Sequence, residues 1–181
     1  MTTSSGGRTA GLLLAAGAGR RYGMPKILVP GWLDQAVRAL RDGGCDPVRV
    51  VTGAARPALP AGAVEIHCRD WHLGIGASLR AGLRASGAGS DRVMIHLVDC
   101  PDIGSAVISR VLERGTASLN RATFDGRPGH PVLIDSTQVR PLLASLTNAV
   151  GAGPHLTRQG ALGIECGDLA TGQDVDRPPT R

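Results

Sequence analysis

The stretch from Leu12 to Lys26 constrains this chain more than any other. It grows out of an apolar run, Gly11 to Ala16, with the length and character of a strand buried on both faces. Within the next ten residues come Gly17, Gly19, Gly23, Arg20, Arg21, Pro25 and Lys26. Glycines let the backbone approach a ligand closely and expose successive N–H groups, which suit phosphate oxygens. Arg21 adds a planar fork of positive charge and Lys26 a compact point charge. Among twenty basic residues Lys26 is the only lysine, so its ammonium reads as placed for an anion; the plain alternative is one lysine surviving in an arginine-rich composition.

Two standard phosphate loops do not fit. Gly17-Ala18-Gly19-Arg20-Arg21-Tyr22 carries tyrosine where G-x-G-x-x-G needs its third glycine. Lys26 follows Pro25 and precedes Ile27, so there is no G-x-x-x-x-G-K-[ST] either. The stretch instead resembles the signature L-A-A-G-x-G-x-R-x-G-x-P-K of the MobA-like nucleotidyltransferases, nearest to the molybdenum cofactor cytidylyltransferase branch. Leu14, Ala15, Ala16, Gly17, Gly19, Arg21, Gly23, Pro25 and Lys26 occupy its fixed positions. The resemblance implies a three-layer α/β/α, Rossmann-like fold of the nucleotide-diphospho-sugar transferase type with a mostly parallel sheet. It also implies a loop that binds a nucleoside triphosphate, with Arg21 and Lys26 in catalytic roles. The L-A-A-G form favours CTP over GTP by the same likeness.

Further segments extend the match. Trp71 to Leu83 is similar to the family's W-x-x-G-x-x-x-S-L-x-x-G-L block, at Trp71, Gly74, Ser78, Leu79, Gly82 and Leu83. Gly74 and Gly76 open a helix whose first N–H groups are expected to be free for a ligand. By resemblance, Gly74 and Ser78 contact the nucleotide; read alone, Ser78 is equally a cap or a small packing residue. The strand predicted over Arg92–Val98 runs into Asp99-Cys100-Pro101, similar to the family's D-x-P motif, whose aspartate binds Mg²⁺. A carboxylate at the end of a buried strand sits where open α/β sheets hold ligands. Capping a helix from Ile103 is the structural alternative for Asp99, and Asp102 is the better-placed cap.

Arg121 to Ile134 reads as strand, Asp-Gly turn and strand. Its Gly126, Gly129, His130 and Pro131 match the family's G-x-x-G-H-P block, which places His130 on the acceptor side; a lone loop histidine is otherwise a structural hydrogen-bonder. Asp174-Val175-Asp176 resembles the family's D-x-D segment and implies Asp176 as a second Mg²⁺ contact, against solvated charge near a tail. Three departures stand out. Pro30-Gly31-Trp32 replaces a longer segment, Ala152 stands where relatives carry the aspartate of G-D-x-G-x-R, and no closing helix follows Arg177.

The remaining elements follow from periodicity. Helices are expected over Trp32–Arg41, Ile103–Arg114 and Gln138–Leu146, and strands over Pro47–Thr52, Ala63–Cys68 and Ala161–Cys166. Residues 1–8 read as a flexible tail and 9–181 as one domain. A net charge of +5 spread along the chain, with four aromatic residues, argues against nucleic acid. No apolar run nears a membrane span and no signal-peptide pattern opens the chain, so a cytoplasmic protein is expected. Cys45, Cys68, Cys100 and Cys166 are too scattered for a zinc site or disulfide framework and read as packing residues.

The implied reaction is Mg²⁺-dependent transfer of a nucleotidyl group, CMP before GMP, to a phosphorylated small molecule of the molybdopterin type, releasing pyrophosphate. A molybdoenzyme or its chaperone is the implied macromolecular partner. Two other classes compete: a nucleotide-binding accessory protein without turnover, and an NAD(P)-dependent reductase, which the failed glycine fingerprint disfavours.

Overall fold

The computed structural model describes residues 7–86 and 89–178; most of the expected N-terminal tail, and Pro179 to Arg181, lie outside them. Seven strands form one sheet: β1 (Thr9–Leu14), β2 (Val48–Thr52), β3 (Ala63–His67), β4 (Arg92–Leu97), β5 (Leu119–Phe124), β6 (Arg127–Asp135) and β7 (Leu162–Glu165). Their spatial order is β3-β2-β1-β4-β6-β5-β7, and only β6 runs antiparallel to its neighbours. Among the described residues the five α-helices are α1 (Trp32–Asp42), α2 (Ile75–Ser86), α3 (Ser105–Arg114), α4 (Ser136–Ser145) and α5 (Gly153–Arg158).

The expected α/β/α layers follow from alternation along the central strands. Leu13, Val50 and Met94 pack against α1 and α3 with Leu40 and Ile108. Leu12, Val51 and Ile95 face the other way, onto Leu79 and Leu83 of α2 and Leu142 of α4. All six residues of β1 are buried, as a strand covered on both faces requires.

Boundaries moved where tertiary pairing overrode local pattern. β1 begins at Thr9, paired with Arg92, and its ladder ends at Leu14 rather than Ala16. Ala15 and Ala16 leave the ladder but stay tied to the β2 side: Ala15 N–H donates to Val51 O, and Ala16 O accepts from Ala54 N–H. The predicted Asp-Gly turn joins β5 to β6, with φ of 51° at Asp125 and 75° at Gly126, the two left-handed residues a tight hairpin needs. The short helix α5 departs from expectation, because Gly151-Ala152-Gly153-Pro154 reads as a loop; Pro154 in its first turn costs no hydrogen bond there.

This topology positions the site. β1 has one neighbour on each side, β2 and β4, whose connections leave in opposite directions, so a crevice opens at the carboxyl ends of β1 and β4.

Candidate active site

The loop after β1 folds back on itself at Gly19. There φ is +60°, and Gly19 O accepts from the N–H groups of Tyr22 (2.9 Å) and Gly23 (2.8 Å). A Cβ at Gly19 would stand 1.9 Å from Met24 O, so no side chain fits. At Gly17, by contrast, a Cβ would meet nothing within 4 Å; the missing side chain leaves open space over the strand end. Lys26 starts a 3₁₀ turn, Lys26–Leu28, held down by buried Ile27.

Lys26 Nζ then meets two carboxylates: Asp99 Oδ2 at 2.8 Å and Asp176 Oδ1 at 3.0 Å. Arg21 completes the cluster, 2.7 Å from Asp176 Oδ2. Partial burial opposes the lysine's charge, but hydrogen bonds to Asp99 and Asp176 outweigh it and hold its pKa above the ordinary value. The same Lys26 hydrogen bond holds Asp176 below the usual carboxylate range. Asp176 is thus no solvated surface charge.

Its position is built from both sides. Val175 N–H donates to Asp99 O at 2.8 Å. Asp102 accepts from Thr171 N–H, Thr171 Oγ1–H and Gly172 N–H at 2.7, 2.6 and 3.1 Å. The expectation of Asp102 as a helix cap is therefore corrected: α3 starts at Ser105 with Gly104 before it and no side-chain cap. Asp102 instead pins the C-terminal segment, where a Cβ on Gly172 would strike the Phe124 ring at 2.1 Å. Asp99 caps nothing and faces the crevice.

The opposite wall is the 3₁₀ turn Trp71–Leu73 and the first turn of α2. The expectation of free N–H groups there is also corrected. Gly76 and Ala77 N–H both donate to Asn148 O, at 2.9 and 3.3 Å. The glycines serve that contact: a Cβ at Gly74 would lie 2.6 Å from Asn148 O, and one at Gly76 1.8 Å from Thr147 O. Arg80 clamps the same loop through Asn148 Oδ1 and Leu146 O, at 2.7 and 2.8 Å.

Between these walls lies a cavity of about 370 Å³. Leu14, Ala15, Ala16, Gly17, Gly19, Arg21, Lys26, Gly74, Ser78, Asp99 and Asp176 all line it. Pro30 to Trp32 do not, since α1 starts at Trp32 directly behind the loop. Tyr22, Trp71, His72 and Ile75 also line it, although none of them is marked as a site residue by its sequence context. One signal was there to find: Tyr22 and Trp71 are two of only four aromatic residues in the chain. His130 lies elsewhere, in a second cavity of about 190 Å³ that shares Leu14, Ile75 and Leu97 with the first. Its Nδ1 is 3.5 Å from Ile95 O, and burial pushes its pKa down.

The donor set suits a hard divalent cation. Among the described residues no three His, Cys, Asp or Glu side chains converge as a metal cage. Asp99 and Asp176 converge on one point, and one or two carboxylates plus substrate oxygens and water are what Mg²⁺-type sites use. The four cysteines are buried and free, as packing residues should be. No helix is long and apolar enough to cross a membrane among the described residues.

Comparison with known proteins agrees with this architecture. Nicotine blue oxidoreductase of Paenarthrobacter nicotinovorans is 34% identical over 189 residues, covering 92% of this chain and 91% of the relative. Rv0371c of Mycobacterium tuberculosis H37Rv superposes with a TM-score of 0.76 at 22% identity, covering 96% and 95% of the two chains. A manganese complex of that protein matches at 0.71 and 23%, over 93% and 94%. The 2-C-methyl-D-erythritol 4-phosphate cytidylyltransferase of Thermus thermophilus matches at 0.65 and 20%, over 93% and 92%. The family model of the MobA-like NTP transferase domain matches residues 11–162, from β1 into β7. The chain belongs to the MobA-like NTP transferase family.

Proposed function

We propose that this protein is a divalent-metal-dependent nucleotidyltransferase that moves a nucleoside monophosphate, CMP before GMP, from a nucleoside triphosphate to a phosphorylated small molecule. The observation that carries the reading is Lys26 held between Asp99 and Asp176 at the mouth of a glycine-lined cavity. An acceptor oxygen attacks the α-phosphorus, the bond to the β-phosphate oxygen breaks, and pyrophosphate leaves. Such a transfer asks for positioning and charge stabilisation rather than covalent chemistry.

Gly17 and Gly19 let the triphosphate lie against backbone. Lys26 and Arg21 exchange their carboxylate partners for phosphate oxygens. Asp99 and Asp176 are the residues that would hold Mg²⁺, which supplies neutralisation of the phosphate charge; a manganese complex of a fold relative supports a divalent ion of this kind. Ser78 and Gly74 face the nucleoside from the α2 side, and His130 faces the acceptor. An ionised phosphate acceptor needs no general base.

The test is thermal stabilisation by CTP, GTP, ATP, UTP, NADH and NADPH, each with and without Mg²⁺. Stabilisation by one triphosphate, dependent on Mg²⁺ and lost in Lys26→Ala, supports the transferase; pyrophosphate release on adding phosphorylated small-molecule acceptors then separates turnover from an accessory role that only binds. A second reading rests on the relative called an oxidoreductase at 34% identity: the same cavity takes a reduced dinucleotide. Stabilisation by NADPH or NADH without Mg²⁺, with no triphosphate response, would establish that reading and sink the first.

A further inference from the structure

The second cavity has a chemistry of its own. Arg121, on the interior strand β5, turns into it beside His130, just before the register of the β5–β6 pair shifts between Arg121 and Thr123. The extra residues fall on β6, where Gly129, His130 and Pro131 stand opposite Ala122 alone, and such a bulge re-aims the side chains it displaces, His130 among them. Arg121 Nε is sealed from solvent without a hydrogen-bond partner, and no carboxylate lines the cavity. Arg80, Arg92 and Arg110, by comparison, donate to carbonyls or carboxylates. Burial without compensation lowers the Arg121 pKa. A half-buried guanidinium whose Nε lacks a partner is complementary to an oxyanion in fork geometry.

Apart from His130 and two glycines, the rest of the wall is aliphatic, from β1, β4, β6, α2 and α5. The rim is apolar as well: Ile75 is 46% and Val150 45% exposed, and Gly151 packs toward Ile75. About 190 Å³ equals the share of roughly six liquid waters. That is room for one ring, not for a chain of phosphates.

We propose that this cavity is the subsite for the second substrate and selects a compact apolar body carrying one oxyanion, which Arg121 anchors. The proposal rests on the first cavity being the nucleotide site, because the shared wall of Leu14, Ile75 and Leu97 sets the two ligands side by side. A polyanion would find one guanidinium among hydrocarbon side chains, whereas a single phosphate or carboxylate on a ring satisfies both.

The probes are phenyl phosphate, benzoate, inorganic phosphate and benzyl alcohol, titrated calorimetrically into the full chain with and without saturating Mg²⁺–CTP. Phenyl phosphate or benzoate is expected to bind alongside the nucleotide, and which of the two is tighter names the oxyanion. Inorganic phosphate and benzyl alcohol should each bind about tenfold more weakly or worse, since each keeps half of the recognition. Arg121→Gln should weaken the aryl anion by about tenfold while leaving CTP binding and thermal stability in place. Ala152→Leu, which fills the cavity with Arg121 intact, should produce the same loss. Equal affinity in both variants, competition between the aryl anion and CTP, inorganic phosphate binding as tightly as phenyl phosphate, or no aryl-anion binding at millimolar concentration would each overturn the proposal. Arg121-dependent aryl-anion binding without any CTP response would leave this site standing and overturn only the nucleotide reading.

Discussion

On one side of the wall formed by Leu14, Ile75 and Leu97, a lysine has two carboxylate partners; on the other, an arginine has none. The first cavity holds a paired charge cluster, with Arg21, Lys26, Asp99 and Asp176 pairing among themselves. A ligand enters it by exchanging partners, so selectivity depends on bringing charge of both signs, a polyphosphate with its cation. The second cavity holds a half-buried guanidinium without a carboxylate partner, so an anion adds a contact without breaking an ion pair. The contrast teaches that a site built for exchange and a site built for capture can share three side chains.

Lys26→Ala should break this contrast most strongly. It removes the charge-assisted contacts to phosphate, each worth about 1.5–3 kcal/mol, and leaves Asp99 without its cation and Asp176 with Arg21 alone. Triphosphate affinity should fall by about two orders of magnitude, read by calorimetry, with phenyl phosphate binding unchanged. Equal losses of both ligands would mean that the cavities are one.

Gly76→Ala acts on the wall that both cavities share. Its Cβ would press on Thr147 O, forcing the 147–151 loop away and opening the Asn148 hydrogen bonds. A loss of about 1–3 kcal/mol in urea unfolding is expected, with weaker binding at both sites. Binding lost at one site alone would show that the loop supports only that site.

Acid separates the two regions further. His96, next to the shared Leu97, is fully buried on β4 with both ring nitrogens unpartnered, and burial pushes its pKa down to about 3 from 6.5. The unfolded chain takes up a proton below pH 6.5 and the fold does not until about pH 3, so stability is lost as pH falls through that window. The slope is at most about 1.4 kcal/mol per pH unit. Comparison of urea midpoints at pH 7 and 5 should show the drop, flattened in His96→Leu. Asp176, held low by Lys26, keeps its ion pair between pH 7 and 5. A wild-type drop as shallow as the variant's would assign acid sensitivity elsewhere.

The smallest effect is expected of Asp102→Ala, which frees Thr171 and Gly172 but leaves the ion pairs of Asp176. A roughly two- to fivefold weaker response to Mg²⁺–triphosphate, with no change at the second cavity, should follow from losing about 1 kcal/mol of positioning. An unchanged Mg²⁺ response would detach the C-terminal segment from the candidate metal site.

Much of the site was legible because its parts are contiguous or sit at strand ends. Gly17, Gly19, Arg21 and Lys26 belong to one loop, Asp99 follows an apolar strand, and all line the first cavity. Resemblance puts His130 on the acceptor side, and it lies in the neighbouring cavity. Arg121 is not legible, because one arginine among many carries no local mark; only its place on the cavity wall and its unpartnered Nε distinguish it. The roles of Gly74, Gly76 and Asp102 mislead for a related reason. A glycine at a helix start looks the same whether it leaves N–H groups open or admits another backbone, and an acid before a helix looks like a cap whether or not it turns to the tail.

By itself the sequence determined the strand-loop opening, the lysine in it, the alternation of strands with helices and the turn at Asp125-Gly126, since periodicity and backbone permissiveness act within a few residues. Only the tertiary structure decided that Asp176 meets Lys26 across 150 positions, that loop 147–150 takes the N–H groups of α2, and that Arg121 stays unpaired. Contacts between segments distant in the chain depend on how layers pack, and packing leaves no period in the sequence.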